Sequence, residues 1–249
     1  MKISYRKLIS LKKRMEAACR GKMNVHFLHI RKTGGTAIKS ALEHAQSTPN
    51  AVIYTHPHRV CLADIPRRHK VMFALRDPVE RYVSGFMSRY RQGAPAHSVP
   101  WSEEEAKVFA RFHTPESLAI ALDSAHPAYD EAIHAMKVVS HLNCLQWNWL
   151  GDERLFEERS TDFLWVGQLR TLQADFEELR EFLQLPAGIT LPHEERAANR
   201  SSNISHTERV MSSQAEKNVQ DWYAEDYRLI ELCESLRDKN GGPVCDLLR

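Results

Sequence analysis

The sequence predicts an α/β protein in which one central parallel sheet is flanked by helices. Four short apolar runs, rich in β-branched and aromatic residues, are typical of strands buried on both faces. They lie at 25–30, 51–54, 71–75 and 163–166. Helical patterns separate these runs, as expected for a parallel sheet. The chain has 249 residues, which is enough for a single domain with a sizeable core.

The first two helices follow the first and third strands. A helix is predicted at 36–44, directly after a glycine-containing turn. The next begins at Asp77, which suits the N-cap position, with Pro78 in the first turn and Glu80 completing a capping box. It is predicted to continue to about Gln92, ahead of a glycine and a proline.

The remaining helices lie on either side of the last strand. A long helix is predicted at 129–150, before Gly151, and the stretch 207–238 reads as a helix broken at most once. A helix at 172–183 carries its apolar residues on one face; these are Leu172, Phe176, Leu179 and Leu183. Residues 186–205 read as a loop.

Composition excludes several classes of protein. No apolar run reaches the length of a membrane-spanning helix, and lysines interrupt the N-terminus where a signal peptide would be apolar. The five cysteines are scattered and form no CxxC pair, so neither a zinc ribbon nor a disulfide framework is expected. We therefore expect no metal site and a cytoplasmic location.

Positive charge is concentrated at the N-terminus. Residues 1–22 hold eight Lys or Arg against one Glu, a net +7, so the rest of the chain carries −5 because the whole chain is +2. We predict a basic helix or arm at 1–22 ahead of a domain at 23–249. A solvated helix is the favoured interpretation, and weak contact with a membrane surface is the alternative. No aromatic and basic recognition motif follows, so nucleic acid is not expected.

A candidate phosphate loop, residues 31–36, follows the first strand. Its two glycines let backbone N–H groups approach an anion at a helix N-terminus, and its lysine adds a full charge. An ordinary tight turn is the alternative. The loop is not a Walker A motif, because His26 and Arg31 occupy the positions of its first and second glycines. A nucleoside triphosphatase is therefore disfavoured.

A second candidate anion site follows the third strand. Arg76 stands at the end of that strand, and Ser84 lies two turns into the next helix. The carboxyl ends of strands form the ligand crevice of open α/β sheets. A guanidinium group and a hydroxyl suit a terminal phosphate. The alternative is that Arg76 and Asp77 form an ion pair that caps the helix.

These two motifs resemble those of sulfotransferases that use 3′-phosphoadenosine 5′-phosphosulfate (PAPS). FLHIRKTGGTAI is similar to their 5′-phosphosulfate loop, and FALRDPVERYVSGF to their 3′-phosphate motif. DFLWVGQLRTLQADFEELREFLQLP resembles the late strand and helix of bacterial and Golgi carbohydrate sulfotransferases. LPHEERAANRSSN, followed by DWYAEDYRL, resembles their nucleotide-covering loop and final helix, so the resemblance spans about residues 24–232. YTHPH at 54–58 is similar to the His-x-His segment of heparan sulfate 2-O- and 6-O-sulfotransferases.

The resemblance implies roles for individual residues. PAPS would be the co-substrate and no metal would be required. The donor-binding residues would be Arg31, Lys32, Thr33, Gly34, Gly35, Thr36, Arg76, Ser84, Asn199 and Arg200. Lys32 would stabilise the leaving phosphate. His58 would be the general base, with His56 as the second candidate, and the acceptor would be a carbohydrate-like hydroxyl. The chain departs from the family pattern at Arg31, where proline is usual.

Two alternatives to this activity stay open at the level of sequence. One is a P-loop-type nucleotide kinase, and the other is a protein that binds adenosine 3′,5′-bisphosphate or polyanions without turnover. Trp147 and Trp149 could stack on a sugar, but tryptophans on a helix more often belong to the core, which we favour.

Overall fold

The computed structural model describes residues 21–94, 98–192 and 211–244. The chain divides into two compact units. Within the described residues, the first comprises 21–75, 149–191 and 232–244, and the second comprises 76–148, apart from 95–97, with 192 and 211–231. Each unit is assembled from separate segments, which explains why the sequence shows no linker inside the predicted domain at 23–249. The predicted arm at 1–22 lies almost wholly outside the described residues.

Four strands, ten α-helices and three short 3₁₀ helices occupy the described segments. The strands are β1 (Met23–Phe27), β2 (Ala51–Thr55), β3 (Lys70–Leu75) and β4 (Phe163–Gln168). The helices are α1 (Gly35–Glu43), α2 (Pro78–Tyr90), α3 (Glu103–Arg111), α4 (Pro115–Ile120), α5 (Tyr129–Val138), α6 (Trp147–Leu150), α7 (Glu153–Glu158), α8 (Leu172–Phe182), α9 (Ser213–Trp222) and α10 (Ala224–Asn240). None of these helices is long and apolar enough to cross a bilayer.

The sheet of the first unit confirms the predicted α/β class. Its order is β2-β1-β3-β4, and every neighbouring pair is parallel. Strand β2 lies on one side of β1 within the sheet, whereas β3 and β4 lie on the other side of β1. This reversal places a topological switch point at the carboxyl ends of β1 and β3, where open α/β sheets bind their ligands.

The two faces of β1 differ in chemistry. Val25 and Phe27 point into an apolar cluster with residues of α1 and α8. His26 lies between them in sequence, so its side chain points to the opposite face, where its ring stacks on Tyr54 of β2. One face of the strand therefore builds the core, and the other carries an imidazole.

Strand β1 ends earlier than the sequence predicts. The predicted strand reached residue 30, but regular pairing stops at Phe27. The N–H of Leu28 still donates to Met72, whereas that of Ile30 donates to Leu28, two residues back. This tight reversal takes His29 out of the strand.

The described part of the second unit is helical. Its core consists of apolar residues of α2, α3, α4, α5 and α9. Helix α2 begins as predicted, because Asp77 accepts a hydrogen bond from the N–H of Glu80 and Pro78 follows the cap. The predicted capping box is wrong in its second half: the Glu80 carboxylate accepts from Arg76 Nε, at 3.3 Å.

The helix predicted at 129–150 is also wrong, because it is broken between α5 and α6. The intervening backbone bonds to buried charged side chains instead of continuing the helix. Ser140 N–H donates to Glu105, the Cys144 carbonyl accepts from Arg81, and Gln146 N–H donates to Asp226. These groups offset the lost helical bonds, which is a tertiary effect that helical periodicity does not report.

Candidate active site

The phosphate loop joins β1 to α1 in a strained conformation. Lys32 has φ 67° and Gly34 has φ 83°, so both lie in the left-handed region. This region disfavours lysine, and strain of this kind is concentrated at functional sites. Thr33 is buried, and its hydroxyl donates to the Ile30 carbonyl at 3.1 Å. Its hydroxyl proton is therefore used inside the loop.

Gly34 and Gly35 shape the N-terminus of α1. Gly34 is the N-cap and has no side chain to bond the first N–H groups, which a helix cannot satisfy internally. A Cβ at Gly34 would lie 2.8 Å from Leu169 and 2.9 Å from Leu172. A Cβ at Gly35 would collide with the His29 ring. Neither glycine could therefore carry a side chain without local movement. The helix start therefore presents bare N–H groups and a partial positive charge.

His58 lies against His29, in the same unit as the loop. His58 Nδ1 donates to the His29 backbone carbonyl at 2.8 Å, and the two ring centroids are 3.9 Å apart. A carbonyl can only accept, so the proton of neutral His58 is on Nδ1 and its Nε2 carries a lone pair. Although His58 is solvent-exposed, its packing partly desolvates the ring, and this desolvation is the main reason that its pKa is lowered.

Cations surround this pair of histidines. The hydrogen bond to the His29 carbonyl raises the pKa of His58, whereas the positive charges of Arg31, Lys39 and Lys32 lower it. Burial lowers the pKa of His29 to about 3, and the charges of His58 and Lys39 act in the same direction. Both imidazoles are therefore neutral near pH 7, and an anion at this position would meet positive charge.

His56 belongs to a different group of rings. His26 Nδ1 bonds to His56 Nε2 and His26 Nε2 bonds to His69 Nδ1, each at 2.9 Å. We call these three residues the histidine chain. His26 pairs in register with Tyr54 and Val71, so His56 lies two residues towards the carboxyl edge of the sheet and His69 two residues towards the other edge. Burial lowers the pKa of His56, while Asp64 opposes this shift.

The segment that carries both candidate bases is not extended. An extended segment would place His56 and His58 on one face. β2 instead ends at Thr55, and a turn follows in which the Val60 N–H donates to the Pro57 carbonyl. The two imidazoles consequently engage different partners.

The tryptophans confirm the core interpretation. Trp147 and Trp149 are 8% and 5% exposed, so neither offers a face to a sugar. Trp149 has a second role, because its Nε1 donates to the His58 backbone carbonyl at 2.6 Å. This hydrogen bond holds the His58 backbone against α6, which begins the segment that leads to β4.

The second candidate anion site lies in the second unit. The Arg76 backbone is fixed at both its N–H and its carbonyl by the buried Gln146 amide, at 3.0 and 2.9 Å. The Arg76 guanidinium pairs with exposed Glu80, a contact of little strength that an anion could replace. Ser84 is half-buried in the second turn of α2. Arg81, in the first turn of α2, forms a buried ion pair with Asp226 at 3.2 Å.

Comparison with known proteins identifies the family. Residues 16–231, which are most of the chain, match the sequence model of a protein family described as "Sulfotransferase family". The chain belongs to the sulfotransferase family. Neither the search of curated proteins nor that of solved structures found a significant match.

Membership gives this sulfotransferase its general chemistry, which is sulfuryl transfer from a sulfate donor to an acceptor. Asn199 and Arg200, expected in the loop that covers the nucleotide, lie outside the described residues. Within the described segments, no group of three or more His, Cys, Asp or Glu side chains could hold a metal ion.

The candidate site includes histidines that local sequence patterns do not single out. His26 and His29 lie within the run 25–30 that is predicted as the first strand. The alternation of His26 between Val25 and Phe27 was a signal, because an imidazole there must point away from the core. Nothing in the spacing indicated that Gln146 would fix Arg76, since 70 residues separate them.

Proposed function

We propose that this sulfotransferase moves a sulfuryl group from PAPS to the hydroxyl of a carbohydrate-like acceptor. In this reaction the acceptor oxygen bonds to sulfur, the bond from sulfur to the 5′-phosphate oxygen breaks, and the hydroxyl proton goes to His58 Nε2. The observation that carries the proposal is the hydrogen bond from His58 Nδ1 to the His29 carbonyl, which leaves Nε2 able to accept a proton.

The phosphate loop has the groups that the leaving phosphate requires. Negative charge grows on that phosphate as the bond to sulfur breaks, so preorganised positive charge lowers the barrier. We assign this role to Lys32, supported by the N–H groups of Gly34, Gly35 and Thr36 at the start of α1. Arg31, together with the backbone of Thr33, would complete the binding of the 5′-phosphates.

Arg76 and Ser84 are proposed to bind the 3′-phosphate. The proposal is supported by the sequence motif and by the Gln146 amide, which holds the Arg76 backbone in place. Ser84→Ala should weaken binding of PAPS much more than binding of adenosine 5′-phosphosulfate, which lacks the 3′-phosphate. Calorimetry with both nucleotides measures the difference, and equal losses would mean that Ser84 has only a structural role.

The proposed function is tested by incubating the protein with ³⁵S-labelled PAPS and a panel of hydroxylated acceptors, including sulfated and unsulfated saccharides. We expect the ³⁵S label to be transferred to a saccharide, and we expect this activity to be retained when EDTA is present. Phosphate transfer from labelled ATP that depends on magnesium would instead establish the kinase alternative. Tight binding of adenosine 3′,5′-bisphosphate, with no transfer to any acceptor, would favour the non-catalytic binding protein.

A further inference from the structure

His29 lies between the two parts of the candidate site. It follows β1 and is 7% exposed. On one side, its ring packs so closely on Gly35 that a Cβ there would be 2.6 Å from His29 Nε2. On the other side, its ring contacts that of His58. A single buried side chain therefore touches both the phosphate loop and the base.

The His29 backbone contributes separately from its ring. Its carbonyl accepts the proton of His58 Nδ1, which fixes the tautomer of the base. That carbonyl is available because β1 ends at Phe27 and the chain then reverses at Ile30. The early end of the strand is thus what turns the His29 carbonyl into a partner for a side chain.

The His29 ring is unsuited to proton transfer. Burial and the charge of Lys39 keep its pKa at about 3, so it stays neutral over the range in which a histidine base acts. It therefore adds no positive charge beside His58, which already faces Arg31, Lys32 and Lys39.

We propose that His29 is a positioning residue that holds His58 in register with the phosphate loop. Its ring fixes the distance between the base and Gly35, and its carbonyl fixes the tautomer of the base. The inference rests on the proposed function, because it assumes that His58 reacts and that the loop binds the donor. Misplacement of a reacting group by about 1 Å can lower turnover about 100-fold.

Two substitutions of His29 distinguish the contribution of its ring as a whole from that of the ring nitrogens. His29→Ala removes the ring and keeps the backbone carbonyl, whereas His29→Phe keeps an aromatic ring of similar shape. His44→Ala is the matched control, because His44 is an exposed histidine of the same unit at the end of α1. For each variant, NMR follows the titration of His58 in the free protein, and steady-state kinetics give kcat and the KM for PAPS.

In His29→Ala we expect kcat to fall about 10- to 100-fold with a smaller change in the KM for PAPS. The pKa of His58 should rise towards its ordinary value, because the ring that desolvates it is gone. His29→Phe should retain kcat within a few-fold, and His44→Ala should match the wild type.

Two results would overturn the proposal. One is a His29→Ala protein whose His58 titration and kcat both stay within twofold of the wild type. The other is a folded His29→Phe protein that loses as much turnover as His29→Ala, which would assign the effect to a ring nitrogen. The titration needs no donor or acceptor. A wild-type protein without sulfuryl transfer would therefore refute the proposed function, and the His58 titration would still decide whether His29 positions the ring.

Discussion

His58 and His56 are two residues apart, but their environments give them different chemistry. His58 donates from Nδ1 to a carbonyl, which cannot donate in return, so Nε2 is a proton acceptor whenever the ring is neutral. His56 is bonded through Nε2 to another imidazole, which can either donate or accept. His58 therefore has one neutral tautomer in place, and His56 has two.

Proton counting in the histidine chain makes this difference concrete. Each of its two N···N bonds holds one proton, and three neutral rings carry three protons in total. The third proton is on His56 Nδ1 or on His69 Nε2. His56 Nδ1 can accept a proton in only one of these two states, whereas Nε2 of neutral His58 can accept one in its single tautomer. This comparison favours His58 as the base.

The largest expected effect separates the two histidines directly. His58→Ala should lower turnover by ~10²–10⁴-fold, the range for loss of a general base, with PAPS affinity nearly unchanged. His56→Ala should lower turnover less, because His56 Nδ1 can accept a proton in one tautomer only. Single-turnover rates measure both variants. A His56→Ala protein with the larger loss would reverse the comparison.

The next effect concerns Lys32, which we propose to stabilise the leaving phosphate. Lys32→Ala should lower turnover by about 10²–10³-fold, through loss of charge stabilisation at the leaving phosphate. Lys32→Gly removes the same charge but suits the observed φ of 67°, so it should be more stable than Lys32→Ala by about 1 kcal/mol. Turnover and urea unfolding are measured together. If turnover tracks stability across the two variants, Lys32 is a structural residue.

A smaller effect is expected from breaking the histidine chain at its buried member. His26→Phe keeps a ring at that position and removes both N···N bonds, so we expect about 1–3 kcal/mol of lost stability. Turnover should fall no more than tenfold, because His58 and its carbonyl partner are untouched. A larger loss in a variant that still folds would give the chain a chemical role and weaken the contrast with His58.

The last expected effect is on stability as a function of pH. The folded state holds His29 neutral with a pKa of about 3, whereas the unfolded chain protonates it near pH 6.5. The unfolded state therefore binds more protons below pH 6.5, and stability falls as the pH decreases from that point. His29 alone contributes up to about 1.4 kcal/mol per pH unit. Urea unfolding of His29→Phe between pH 7 and 5 should show a flatter dependence, and an unchanged slope would contradict the assigned burial.

The sequence predicted the scaffold of the site better than its hydrogen bonding. Strand, glycine loop and helix follow from local patterns, and so does the Asp77 cap of α2, because each is set by residues close in sequence. The partners of the histidines depend instead on parallel register, which joins His26 to residues 30 and 43 positions away. The break after α5 depends on distant buried charges, and local helical periodicity contains neither kind of information.

The most direct test of the central claim compares two pH profiles of the wild-type protein. One is the titration of His58 by NMR in the protein saturated with PAPS, and the other is kcat/KM for the acceptor at saturating PAPS. Burial places the pKa of His58 below its ordinary value of 6.5. We predict that kcat/KM is full above that value, and that it falls at lower pH in step with the protonation of His58. The claim would be contradicted if the acidic limb followed a different group, or if it persisted unchanged in His58→Ala.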